Sequence, residues 1–277
     1  MVHAADYAAW KEAAREHDRL SGAADWREQT ESSEYDYRLI QARLEELCAL
    51  RRRGEVARLV FCLHEGLHGN LGNIASPALY SQCRFGTKRL LTEYLDEIAV
   101  ALDYLCDYEP PAFPPADKLR FFERTAQSFG RSALMLSGGA TLGLFHLGVI
   151  KAVWSEGLMP RVISGSSAGS IAGAMLGTHT DTELARISCS MADQSYSGDI
   201  TIVPPTWPSN LLNVFSNPSP ARIAEFIQTG EQATWPKLER IRNATRISRA
   251  FEHCLERLRV RFALPTAADQ APRHDVA

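Results

Sequence analysis

Ser132-Ala-Leu-Met-Leu-Ser-Gly-Gly-Ala-Thr-Leu-Gly143 and Arg161-Val-Ile-Ser-Gly-Ser-Ser-Ala-Gly169 are the stretches that decide the fold. In each, a short apolar run breaks on glycine and helix formers follow. Ser132–Ser137 runs into Gly138-Gly139, and a helix is predicted from Gly143 to Gly157. Arg161–Ser164 runs into Gly165, and a second helix is predicted from Ser167 to about Leu176. Short apolar runs bounded by glycine are the pattern of strands in a buried parallel sheet. Strand, turn and helix, twice over, make a βαβα unit with a right-handed crossover, so the predicted class is α/β.

The second stretch contains Gly165-Ser166-Ser167-Ala168-Gly169, a G-x-S-x-G. A serine at its centre sits on a tight strand-to-helix turn, where small flanking residues avoid collision with the neighbouring backbone. The turn lifts its hydroxyl above the sheet, and free N–H groups at the helix start favour negative charge on its oxygen. Ser167 is therefore the candidate nucleophile. The backbone N–H groups of Gly138, Gly139 and Ala140 are candidate oxyanion donors, because consecutive small residues let amides converge on an anion. Gly143, Gly165 and Gly169 complete the two motifs, whose loops leave the carboxyl ends of neighbouring strands. A competing reading takes Gly138–Gly143 as a dinucleotide loop, G-x-A-x-x-G. That loop needs an acid at the end of the next strand to hold a ribose, and here the strand ends in Ile163-Ser164-Gly165.

Working outward, the chain before residue 130 reads as helices. Asp6–Leu20 is rich in helix formers, Glu34–Arg53 repeats Leu39, Ile40, Leu44, Leu47 and Leu50, and Lys88–Tyr108 carries Leu91, Leu95, Ile98, Leu102 and Leu105 on one stripe. Val56–Leu67 is a further predicted helix, and Gly66–Pro77 is a predicted loop. Glu109-Pro-Pro-Ala-Phe-Pro-Pro115 favours an extended connector, with a short helix expected at 117–128. The expected organisation is a helical domain over 1–128 with its linker at 109–116, an α/β domain over 129–262 and a loose tail at 263–277. Within the second part, helices are expected at 181–193, 219–229 and 235–262, with one weak strand candidate at Ile200–Val203.

Composition narrows the function. Hydrophobic residues are 45% and charged residues 23% of 277, enough for a core and against global disorder. Thirty Lys and Arg against 33 Asp and Glu give a net charge of −3, so nothing calls for nucleic acid as partner. The six cysteines are scattered, with no C-x-x-C, which reads as reduced thiols and a cytoplasmic protein. Neither a secretory signal nor an apolar run near the roughly 20 residues of a membrane span is seen, so membrane contact is expected to be peripheral.

Ser137-Gly-Gly-Ala-Thr-Leu-Gly-Leu-Phe-His-Leu-Gly-Val-Ile-Lys151 followed by Val162-Ile-Ser-Gly-Ser-Ser-Ala-Gly-Ser170 resembles the patatin-like phospholipases, and more narrowly their triacylglycerol-lipase branch. Tyr7-x-x-Trp10, Asp18-x-Leu20-x-Gly22, Trp26, Tyr35-Asp36-Tyr37, Glu65–Asn70 and Phe85-Gly-Thr-Lys88 are similar to the helical companion domain of that branch. The resemblance implies a metal-free, cofactor-free serine hydrolase of lipid acyl esters, triacylglycerol or phospholipid, working at a membrane or droplet surface. It implies Ser167 as nucleophile and an aspartate base in an Asp-Gly motif downstream. The sequence departs there, since it contains no Asp-Gly dipeptide, and Asp181, Asp193, Asp199, Asp269 and Asp275 all lack that context. Ala140 replaces a third glycine, and Leu142 stands where many members carry Arg or Lys. About 130 residues go to the helical part, which leaves a short, C-terminally truncated hydrolase domain. The alternative reading is an inactive homologue that binds lipid or partners.

Other candidates have plainer readings. His64-Glu65-Gly-Leu-His68 fits the zincin H-E-x-x-H, but Gly66 lies between the ligands and the helix breaks at Gly69-Asn70. His146 and His179 are candidates for a Ser-His pair with Ser167, although His146 on an apolar stretch reads as a packed, hydrogen-bonded histidine. Lys237–Phe262 carries eight basic residues against three acids with apolar positions near every 3.5 residues. Such a helix can lie on an anionic membrane, or pack its stripe on the protein with its charges in water, which is the preferred reading.

Overall fold

Local signals set the ends of most elements in the computed structural model, which describes residues 4–109, 113–139, 143–178, 198–204 and 218–262. Helix α1 (Tyr7–Ser21) starts where the Asp6 carboxylate accepts the Ala9 N–H at 2.8 Å, and it stops at Gly22 in the left-handed region. A short α2 (Ala23–Glu28) follows at once, a helix that is not among those expected from the sequence. Asp36 caps α3 (Tyr37–Arg53) through the Leu39 N–H at 3.0 Å, and Gly54 closes it. Next come α4 (Val56–Gly66), single 3-10 turns at Leu71–Asn73 and Pro77–Tyr80 in and beside the expected loop, and α5 (Arg89–Asp107). Pro115 opens α6 (Pro115–Phe129), a position where its missing N–H would have no helical partner.

Strand β1 (Ala133–Leu136), α7 (Leu144–Ser155), β2 (Val162–Gly165) and α8 (Ala168–Thr178) then follow in the βαβα order expected. The two strands pair in parallel, Ala133 opposite Val162 through Leu136 opposite Gly165. Helix α9 (Pro220–Thr234) carries a Ser219 cap, and after a 3-10 turn α10 runs from Leu238 to Arg261. The chain is thus a helix-rich region followed by a small parallel sheet. The strand expected at Ile200–Val203 is absent: those residues form no ladder, and Ile202 instead rests its side chain on the core. The helix expected at 181–193 and the tail at 263–277 lie outside the described residues.

The chain forms two compact units, and both draw on sequence from either side of the proline-rich connector. One combines Met1–Glu28, Tyr80–Thr87 and Ser132–Thr245. Its core joins Trp10 and Ala14 of α1 and Phe85 to Phe145, Val149 and Val153 of α7 and to Trp235 and Leu238. Buried Asp18 accepts the N–H groups of Arg84 and Phe85 at 2.8 and 2.9 Å, which fastens the Tyr80–Thr87 segment to α1.

The second unit combines Gln29–Leu79, Lys88–Arg131 and Arg246–Ala277. Helix α5 is its centre, with Leu91, Ile98, Leu102 and Leu105 fully buried. Buried charges there have partners, as the cost of desolvating them requires. Glu97 takes a two-pronged bond from Arg51 at 2.7 and 2.9 Å. The Lys88 ammonium donates to Gln29 O at 2.8 Å. Lys118 donates to the carbonyls of Cys106, at 3.1 Å, and Tyr108. The arginines of α10 are also engaged. Arg246 meets Asp96 at 2.7 Å, Arg257 meets Asp103 at 3.2 Å, and Arg261 meets Asp107 at 2.9 Å. In the first unit Arg242 bridges Glu156 and Glu239 at 2.7 and 3.3 Å. The apolar stripe of this helix, with Ile247, Phe251 and Leu258 buried, packs on the protein as in the preferred reading, but these arginines meet carboxylates of the fold instead of standing in water.

Candidate active site

Parallel pairing of β1 and β2 puts their carboxyl ends side by side, so the turn after each strand opens on the same edge. The turn after β2 is tight. Ser166 donates its N–H across to Leu136 O at 3.0 Å, which anchors the serine loop on the end of the neighbouring strand. Ser167 then adopts φ 53°, in the left-handed region that non-glycine residues seldom occupy. It is one of two such residues among those described, the other being Asn73. The chain enters α8 immediately, with Ser170 and Ile171 donating to Ser167 O at 2.9 and 3.1 Å. The Ser167 side chain is exposed, at the positive end of the α8 dipole.

Two glycines make this turn possible. A Cβ on Gly165 would lie 2.1 Å from Gly169 O, and one on Gly169 would lie 2.0 Å from Leu136 O. Both are positions where backbone touches backbone, and any side chain would push the strands and helix apart. Gly143, which precedes α7, stands against α8 in the same way: a Cβ there would meet Ala168 Cβ at 2.5 Å. Gly169 and Gly143 thus mark where the two turns approach each other, and Gly165 is the close approach within the second turn. Gly138 and Gly139 follow β1 directly, Gly138 half-buried and Gly139 buried. Ala140 lies outside the described residues.

His146, on the first turn of α7, brings its Nε2 to 2.6 Å from Ser137 O. A carbonyl oxygen accepts only, so Nε2 carries the proton and cannot serve as a base. Burial holds the imidazole pKa below its ordinary value, the hydrogen bond to Ser137 opposing this in part, so the ring is neutral near pH 7. His146 is thus packed and hydrogen-bonded as expected, and its partner is not visible in the sequence, since a ring-to-carbonyl bond across nine residues follows no helical or strand period. His179 and Asp181, Asp193, Asp269 and Asp275 lie outside the described residues; Asp199 is described, and exposed. The zincin-like pair is split by the fold. Helix α4 ends at Gly66, so His68 is off the helix that carries His64, and His64 Nδ1 is bound to Thr125 Oγ1 at 2.9 Å.

Comparison with known proteins adds to this geometry. Residues 1–127 match the profile of a domain of unknown function, DUF3336, and residues 134–268 match the profile described as patatin-like phospholipase. The chain is 38% identical over 184 residues to triacylglycerol lipase SDP1L of Arabidopsis thaliana, covering 66% of this chain and 22% of that protein. It is 39% identical over 171 residues to triacylglycerol lipase ptl3 of Schizosaccharomyces pombe, covering 62% and 35%. It is 32% identical over 238 residues to triacylglycerol lipase 5 of Saccharomyces cerevisiae, covering 84% and 29%. The chain thus spans from about a fifth to about a third of the length of these relatives. No solved structure matches it. With its two glycine-clasped turns on one sheet edge and a patatin profile laid across both, the chain belongs, through residues 134–268, to the patatin-like phospholipase family.

Proposed function

We propose that this chain hydrolyses lipid acyl esters, of triacylglycerol or phospholipid, through Ser167. The observation that carries the reading is the Ser167 turn itself. An exposed serine is held at φ 53° on a strand-to-helix turn that two glycines alone permit. Strain of that kind, about 1–2 kcal/mol for a non-glycine residue, persists where the surroundings enforce it, and it clusters at active sites. The names of the relatives, triacylglycerol lipases, support the substrate class. In the reaction, Ser167 Oγ bonds to the ester carbonyl carbon, the ester C–O bond breaks, and the serine proton passes to the departing alkoxide. The N–H groups of Gly138, Gly139 and Ala140 stabilise the oxyanion, and the alcohol leaves with a proton. Water then cleaves the acyl-serine, which releases the fatty acid and restores the hydroxyl. No metal or cofactor takes part in these steps.

A second reading, a non-catalytic lipid-binding homologue, is favoured by one fact: the sequence has no Asp-Gly dipeptide to supply the base that the family resemblance implies. One experiment separates the two. Wild type and Ser167→Ala are compared for labelling by a fluorophosphonate and for turnover of a p-nitrophenyl ester and an emulsified triacylglycerol. Hydrolysis predicts a loss of about a thousandfold or more on substitution. Equal labelling of both proteins sinks the nucleophile, and glyceride binding without Ser167-dependent turnover establishes the second reading.

A further inference from the structure

The last two carbonyls at the end of β1 are each held by a different donor. Leu136 O accepts the Ser166 N–H at 3.0 Å, and Ser137 O, one residue on, accepts His146 Nε2 at 2.6 Å. The first bond ties the serine turn to the strand. The second does something else, because the peptide joining Ser137 to Gly138 is a planar trans unit whose C=O and N–H point in opposite directions. Fixing Ser137 O fixes the direction of the Gly138 N–H. We propose that His146 is a positioning residue, which aims the Gly138 N–H at the oxyanion by holding the Ser137–Gly138 peptide plane. This inference rests on the hydrolase reading above for the identity of the anion, and on the geometry alone for the tether.

The need for such a tether follows from the sequence. Gly138-Gly139 has no side chain to resist rotation, so an unheld peptide can turn over and present its carbonyl where the N–H should be. That exchanges a donor for an acceptor facing a developing negative charge. Loss of one oxyanion donor typically costs about 100- to 1000-fold in kcat. His146 is suited to the task because it comes from the first turn of α7, a helix whose Phe145 and Val149 are buried in the core, so the ring is carried on a rigid element. The bond needs only the Nε2–H, which is present in the neutral ring.

The test uses the full chain. In the wild type, nitrogen-15 spectra of the imidazole should show the Nε2–H tautomer for His146; an Nδ1–H tautomer overturns the proposal without any variant. His146→Leu removes the donor at similar volume, and His146→Gln restores an amide N–H near the Nε2 position while offering no base. Two readouts are taken: hydrogen exchange at the Gly138 and Gly139 amides, and labelling and turnover at Ser167. His146→Leu should speed exchange at Gly138 and slow labelling about 100-fold, with kcat falling and KM unchanged. His146→Gln should return both most of the way. Unchanged exchange in His146→Leu overturns the tether, whatever the activity does. Activity lost equally in His146→Gln, with exchange protected, assigns the histidine to proton transfer and overturns it too. If the wild type neither labels nor turns over while exchange still answers to both variants, the hydrolase reading falls and the tether stands.

Discussion

At the end of α5, Lys118 and Arg261 both donate to the Cys106 carbonyl, Lys118 also reaches Tyr108, and Asp107 meets two arginines. At the end of β2, Ser167 projects an exposed hydroxyl from a left-handed backbone. Both places are ends of regular elements, where backbone groups lose their partners. One end is neutralised by side chains from α6 and α10. The other keeps its helix dipole facing outward and holds an unfavourable conformation to do so. The difference is one of closure: the α5 end is covered by charged side chains, whereas the β2 end leaves a hydroxyl exposed.

Variants can break that contrast, and the largest effect is expected at Gly169. A Cβ there would overlap Leu136 O, so Gly169→Ala should lower stability by about 3 kcal/mol and abolish Ser167 labelling. A neutral melting curve would mean that the turn yields to the added methyl group. Glu97→Ala strands the half-buried Arg51 and should cost about 2 kcal/mol in denaturant titration, with Ser167 labelling of the folded protein unchanged. Lys118→Met removes one charged donor, and with it two hydrogen bonds to the carbonyls of Cys106 and Tyr108, and should cost about 1.5 kcal/mol by the same measurement. Ser167→Gly carries the opposite sign. It relieves the left-handed strain and should stabilise the chain by about 1 kcal/mol while removing the proposed nucleophile, which calorimetry and labelling read together. If Ser167→Gly destabilises, the turn is not strained and the contrast fails.

The smallest effect is in pH. His146 is held below its ordinary pKa of 6.5 by burial, so below that value the unfolded chain takes up a proton that the folded chain resists. Stability should therefore fall as pH drops from 6.5 toward the folded-state pKa, and it should be complete above 6.5. Melting curves of wild type and His146→Gln across that window should converge as this component is lost; parallel curves would show that burial leaves the ring unperturbed.

The sequence displayed the strands and the turn well because the signals are local. Glycine ends both runs, and β1 and β2 fall within a residue or two of their expected limits. Ile200–Val203 misled for the same reason: β-branched residues satisfy a local rule, but among the described residues no strand completes a ladder with them. The fate of the basic helix was only half legible. Its stripe could be counted, whereas the acids that meet Arg246 and Arg257 sit on α5, about 150 residues earlier, where no spacing rule reaches. The His146–Ser137 bond was hidden likewise, since neither residue type demands the other.

The ion pairs of α10 have a consequence for ionic strength. Cations already facing carboxylates act at a distance as dipoles, and at physiological salt a free charge fades over about 8 Å in any case. Added salt should therefore loosen the half-exposed pairs of Arg246 and Arg257, and so soften the fold, before it alters any attraction of this helix to an anionic surface. For this helix, a salt titration is a measurement of internal cohesion.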